Sequence, residues 1–222
     1  LSNYLNFLVF LGNSIIQLIV VLKVRNVIQE YPIASFLSLS AIFFIGPANY
    51  LYHYLLLNPE KPVPVKLKIQ FAPGAAALVC ELIFQSLPLD LKRQYIKGLI
   101  NSPLDHWFSL IIASGAILTF IYFLIMLRLA LTVLKSEAIR IQVLILLAAF
   151  FSTLVSIVLL SLGFMLSWDL LLLMGGTIIT IINICVFLSN MRYPNFYRII
   201  ENAIKKNRYE RSLLKGLDAE VI

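Results

Sequence analysis

An all-α bundle that crosses a lipid bilayer six times is the fold this sequence predicts, and three observations predict it. Six runs of the chain are each long enough to span a hydrocarbon core of roughly 30 Å, which takes about 20 apolar residues per helix. Hydrophobic residues make up 60% of the 222 and charged residues only 13%, against a charged share of about 25% in soluble domains. No run alternates polar and apolar residues like a membrane barrel strand, so helices have to satisfy the backbone within the lipid.

The first uncharged run extends from Leu1 to Leu22 and stops at Lys23 and Arg25, which read as loop charges. The second, Tyr31 to Pro59, carries Asn49, Tyr50, Tyr52, His53 and Tyr54 near its far end, where tyrosines mark a membrane interface. Asn58 to Pro64 holds three prolines and reads as a stiff, extended spacer. The third span, Ile69 to Leu87, is interrupted only by Glu81. From Leu89 to Ile100 the spacing places Leu91, Tyr95 and Leu99 on one helical face and Arg93 with Lys97 on another. That pattern predicts a short helix on the membrane surface, either a solvated connection or a lid over a ligand pocket. The remaining spans are Trp107 to Leu127, Ile141 to Trp168 and Leu170 to Met191.

Sidedness follows from counting Lys and Arg between spans. With the start of the chain inside, the cytoplasmic side holds thirteen (Lys61, Lys66, Lys68; Arg128, Lys135, Arg140; seven from Arg192 onward), and the other side holds Lys23, Arg25, Lys92, Arg93 and Lys97. The positive-inside bias therefore places both ends of the chain in the cytoplasm. Leu1 has neither an initiator Met nor a cationic stretch before it, which argues against a signal peptide. One helix ahead of Leu1 would bring the native count to seven.

Several chemistries find no support in the sequence. Cys80 and Cys185 both lie inside apolar spans and are expected to be small core residues rather than a disulfide or metal pair. His53 and His106 sit in different segments, so no ligand spacing for a metal exists. There is no phosphate-cradling Gly loop or nucleophile elbow, and neither a catalytic residue nor a cofactor is assigned.

Polar groups inside the spans are the candidate site, because ionisable side chains in hydrocarbon are costly and often functional. Glu81 falls in the outer half of the third span with Gln85 one turn beyond it, and His106, Trp107 and Asp169 lie toward the same side. These five form a candidate pocket for a small ligand. Two plainer readings compete: Glu81 hydrogen-bonds a neighbouring helix, and Trp107 with Trp168 anchors the interface. Asn13, Gln17 and Asn183 are expected to join helices through their amides. Ala72 to Ala77 and Met174 to Thr177 supply small residues for close helix packing.

After the last span, residues 191–222 form a basic juxtamembrane connector distinct from the bundle of 1–190. Phe196, Ile200, Ala203 and Ile204 recur at helical spacing while Arg198, Lys205, Lys206 and Arg208 face elsewhere. Such a helix would lie on anionic lipid.

Gly46-Pro47-Ala48-Asn49-Tyr50-Leu51-Tyr52, followed by Phe71-Ala72-Pro73 at the opening of the next span, resembles the membrane portion of bacterial membrane-bound AraC-type regulators. Arg192-Tyr193-Pro194 and Tyr209 to Gly216 are similar to that family's connector between its last span and its helix-turn-helix domain. Ala48-Asn49 departs from the paired leucines common there. The resemblance implies a multi-pass sensor in the bacterial inner membrane with a cytoplasmic C-terminus, relaying an unidentified ligand or membrane signal through Tyr193, Pro194, Phe196, Ile200 and Ile204. DNA would be read only by a domain beyond Ile222, and a two-fold symmetric reader implies a homodimer. A small transporter, or a sensor with a kinase or cyclase output, is the alternative.

Overall fold

The computed structural model describes residues 2–35, 37–57, 63, 65–133 and 140–192. The chain is an all-α bundle: α1 (Ser2–Val24), α2 (Ser38–Leu57), α3 (Val65–Ile69), α4 (Ala72–Gln85), α5 (Leu89–Asn101), α6 (Trp107–Val133), α7 (Arg140–Met165) and α8 (Asp169–Arg192), with short 3-10 turns at Pro32–Ser35 and Pro103–Asp105. By length and composition, six segments of the described residues can cross a membrane: Tyr4–Val24, Pro32–Leu55, Lys66–Gln85, Trp107–Leu131, Leu144–Met165 and Asp169–Leu188. Most of the proline spacer and the connector from Tyr193 onward, including Pro194, Phe196, Ile200 and Ile204, lie outside the described residues.

The third crossing is divided. Phe71 caps α4 and Pro73 stands in its first turn, a position where a missing N–H costs nothing. Fourteen residues of α4 rise only about 21 Å, so α3 and the turn at Gln70-Phe71 complete the span. Helices α1, α2, α6, α7 and α8 pack pairwise into a closed ring, and α4 leans on α2 from outside it.

α2 is the hub. Each of the three buried apolar clusters contains part of it: Leu39 and Phe43 with Ala77 of α4, Ile45 with Phe123, Met126 and Phe150, and Ala48 and Leu51 with Leu5 and Leu67. Pro47, fully buried in mid-helix, removes the donor that would bond the Phe43 carbonyl. One residue earlier, the Ile42 carbonyl accepts from the Thr119 hydroxyl of α6 at 2.7 Å. Gly46 makes that approach feasible, since a Cβ there would lie 2.8 Å from the Tyr122 ring and 3.0 Å from the Thr119 Cα. The Gly-Pro pair thus lies where α2 and α6 approach closely.

Two sequence expectations change. Cys80 and Cys185 are exposed rather than buried, because a helix solvated by lipid is apolar all round and composition does not distinguish its core face from its lipid face. Lys23 is not a loop charge: α1 continues through Val24, and Lys23 is only 6% exposed.

The small residues near Met174 make a local test of the packing. A Cβ on Gly175 would meet Leu160 of α7 at 2.8 Å, and the Gly175 carbonyl accepts from Ser156 at 2.6 Å. On Gly176 the nearest atom, in Val20, is 3.6 Å away. Gly175→Ala is expected to destabilise the bundle by about 1–3 kcal/mol through overpacking, while Gly176→Ala leaves it unchanged or gains about 0.5–1 kcal/mol of helix preference. Thermal unfolding of the two purified variants in detergent measures the contrast, and equal midpoints would contradict this packing.

Candidate functional site

The ring of helices and α4 border a partly open cavity of about 230 Å³. Its walls are mostly apolar: Ile16 and Val20 of α1, Ile42 of α2, Phe108 and Ile112 of α6, Ile157 and Leu160 of α7, and Leu172 and Ile179 of α8. α5 covers one end. It follows the C-terminus of α4, precedes α6, and contributes Tyr95, Ile96, Leu99 and Ile100 to the lining.

The buried face of α5 differs from the one its sequence predicts. Ile96 is buried and Leu91 is half exposed, so the covering face runs through Tyr95, Ile96 and Leu99 rather than Leu91, Tyr95 and Leu99. Two hydrogen bonds hold the helix in place. Lys92 Nζ donates to the Gln85 carbonyl at 2.8 Å, capping the C-terminus of α4, and Ser167 Oγ donates to the Ile100 carbonyl at 3.0 Å from the α7–α8 turn. Ser167 itself has φ 50, which closes that turn tightly. α5 therefore bridges α4 and the start of α8.

Glu81 projects from α4 to the N-terminus of α2. The Leu39 N–H donates to its Oε1 at 2.6 Å and the Ser40 hydroxyl to its Oε2 at 2.7 Å. Both acceptors thus face unsatisfied groups of a helix start, where the helix dipole also favours negative charge. Just ahead of this cap, Leu37 is held at φ 68, in the left-handed region. The carboxylate is 6% exposed and lines the cavity as well. His53, fourteen residues beyond Leu39 along α2, is about 21 Å from it by helical rise, too far to pair with Glu81.

The other predicted site residues separate into two groups. Gln85 lines the cavity with Glu81, its carbonyl engaged by Lys92. His106, Trp107 and Asp169 lie at the same end of the bundle but are not part of the lining. Trp107 is 65% exposed, the placement of an interface anchor. Asp169 is exposed at the start of α8. The His106 ring stands edge-on to Tyr95 at 5.8 Å and so touches the cavity only through it.

Two residues at the cavity were not among the predicted site residues. Tyr95 sits among Phe84, His106 and Phe108, with ring centroids 5.6–6.0 Å apart. Burial raises the phenol pKa above its ordinary value, so its hydroxyl remains a donor, and that hydroxyl has no partner among the described residues. Lys23 also lines the cavity. Its ammonium lies 5.1 Å over the Phe164 ring and has no hydrogen-bond partner among the described residues. The amphipathic pattern of residues 89–100 pointed toward Tyr95; nothing in the sequence distinguished Lys23 from an ordinary charge at a span end.

A second cavity, of about 80 Å³, lies further along the ring. Asn13, Phe123, Thr153 and Ile179 line both and form the layer between them. In that layer Asn13 Nδ2 donates to Asn183 Oδ1 at 3.1 Å, tying α1 to α8 as the amide positions predict. Gln17 behaves otherwise, its Nε2 lacking a partner among the described residues. The smaller cavity is bordered by His53, whose Nδ1 is 2.9 Å from the Asn49 carbonyl. No group of three His, Cys, Asp or Glu side chains able to hold a metal occurs among the described residues.

Comparison with known proteins adds no family: no protein-family model, curated protein or solved structure matches the chain.

Glu81→Ala would leave the Leu39 N–H buried without its acceptor and the Ser40 hydroxyl with only the Leu37 carbonyl at 3.2 Å, a loss of about 1–3 kcal/mol. Glu81→Gln, which keeps one acceptor, is expected to cost less. Unfolding midpoints of the two variants against the parent protein report this directly, and an alanine variant as stable as the parent would remove the capping role.

Proposed function

We propose that the chain is a membrane-embedded sensor module whose bundle changes packing when its central cavity is occupied, and whose last helix relays the change to a cytoplasmic helix-turn-helix domain that reads DNA. The observation that carries this reading is the covered cavity itself. Its wall includes α8, the helix that leads into the basic connector, and its cover α5 is bonded to the turn that starts α8. A ligand that alters the seating of α5 has a short mechanical route to the chain's C-terminal end. Ligands shift such equilibria only by binding one packing better than another, and a cavity bounded by several helices provides for that.

Two further features support the reading. The excess of Lys and Arg favours a cytoplasmic C-terminal end with the α5 end outside, the arrangement a sensor of external or membrane signals requires. The Gly46-Pro47 pair that resembles the AraC-type membrane regulators lies at the close approach of α2 to α6. Regulation of transcription, inner-membrane location and a homodimeric, DNA-reading output follow from that resemblance.

A small transporter is the second reading, and the two cavities in series separated by one layer of side chains favour it. Reconstitution decides between them. A sensor in liposomes shows no flux of protons or small organic ions above empty vesicles, and measurable flux would favour transport. The coding sequence past Ile222 tests the output: a helix-turn-helix domain is expected, and a kinase or cyclase domain there would replace the transcriptional assignment. Protease mapping should find Lys205 and Lys206 on the cytoplasmic side.

A further inference from the structure

We propose that the larger cavity binds a small amphipathic monoanion, a carboxylate carried on an apolar body of about seven carbons, with the Lys23 ammonium as the partner of its charged head. The proposal deepens the sensor reading by naming the class of its ligand, and rests on that reading for the consequence of binding.

The charge of the wall leads to an anion. Two side chains of ionisable charge line the cavity, Glu81 and Lys23. Glu81 is already balanced, both oxygens accepting from donors at the start of α2. Lys23 is not. It is 94% removed from solvent and has no hydrogen-bond partner among the described residues, and its contact is the face of Phe164 at 5.1 Å. Asp169, at the start of α8, offers it no hydrogen bond and stands exposed at the bundle end. A cation on an aromatic face recovers only about 0.5–2 kcal/mol, far less than the cost of removing an ammonium from water. A carboxylate beside it supplies the missing partner. Lys92, the next cation, is committed to the end of α4, and the Tyr95 hydroxyl adds a second donor without a partner on the lining.

The rest of the wall determines the body of the ligand. Ile, Leu, Val and Phe side chains dominate it, so the part of the ligand away from the head must be apolar. A cavity of 150 Å³ holds benzene; scaled to about 230 Å³, the occupant has roughly nine or ten non-hydrogen atoms. Octanoate has that size. The same head-and-tail chemistry could arrive from the aqueous side as a free acid or from the bilayer as an anionic lipid.

The test uses the purified protein in nanodiscs of phosphatidylcholine alone, with octanoate, octan-1-ol and octylammonium as probes of equal chain length, read by the shift in unfolding midpoint with concentration. Octanoate is expected to bind at least tenfold more tightly than octanol, and octylammonium weakest. Lys23→Met, similar in length and apolar, should abolish the difference between octanoate and octanol while leaving octanol binding in place. If that variant does not fold, the three-probe series on the parent protein decides. Suppression of the octanoate effect by added phosphatidylglycerol would assign the anion site to lipid. Equal binding of all three probes, or a preference for octylammonium, overturns the anion assignment and leaves the sensor reading standing. Octanoate-selective binding in a protein whose gene encodes no output domain sinks the sensor reading and leaves the anion site.

Discussion

The hydrogen bonds from the start of α2 to the Glu81 carboxylate are the interaction on which the arrangement of this bundle depends. α2 contributes to every buried apolar cluster, so its position sets those of α1, α4 and α6. Its first turn begins beside the cavity, and Glu81 supplies acceptors for the Leu39 N–H and the Ser40 hydroxyl. The carboxylate in turn is tolerable in an apolar bundle only because those donors surround it. α4 has no large interface except with α2, so this cap fixes the short crossing whose far end carries Lys92 and the start of α5. Each member of the pair makes the other affordable.

That logic extends to the cavity's remaining polar groups, which differ in how far they are satisfied. Glu81, Gln85 and Asn13 have partners within the bundle. Lys23 and the Tyr95 hydroxyl have none among the described residues. Native proteins pair nearly all buried polar groups, and two exceptions on the wall of one covered cavity set it apart from a packing defect. α5 lies over them, bonded at one end to α4 and at the other to the turn before α8. A cover joined to both the capping helix and the exit helix is a suitable element for coupling occupancy to a change at the C-terminal end.

Aromatic and amide residues divide the bundle along its length. Trp107 and Trp168 are exposed at the α5 end, where their rings suit the membrane interface. Toward the other end, Tyr50 packs on Tyr122 and His53 lies between Tyr52 and Phe150. Between them the Asn13–Asn183 bond ties α1 to α8 beside the layer shared by the two cavities. Amide pairs of this kind stabilise helix contacts in lipid by about 1 kcal/mol, little enough for the layer to rearrange.

Much of the fold was legible in the residues alone. Span lengths depend on the thickness of hydrocarbon and the rise of a helix, both independent of tertiary contacts, so the six spans and the short helix from Leu89 could be read directly, whereas the division of the third span at Gln70-Phe71 was not foreseen. Charge asymmetry likewise speaks to sidedness without any knowledge of packing. Which face of each crossing turns inward was a different matter, because lipid and protein core are equally apolar and leave no hydrophobic stripe; hence Cys80 and Cys185 were misplaced. The candidate site was half visible: a lone acid in a span drew attention to Glu81 and Gln85, but its partners on α2 are forty residues distant in sequence and became neighbours only through folding. Lys23 shows the limit most clearly. Its position at the end of an apolar run was plain from the sequence, whereas its burial against Phe164 followed from α7 crossing beside it, and only the tertiary structure could decide between a charge in water and a charge inside the bundle.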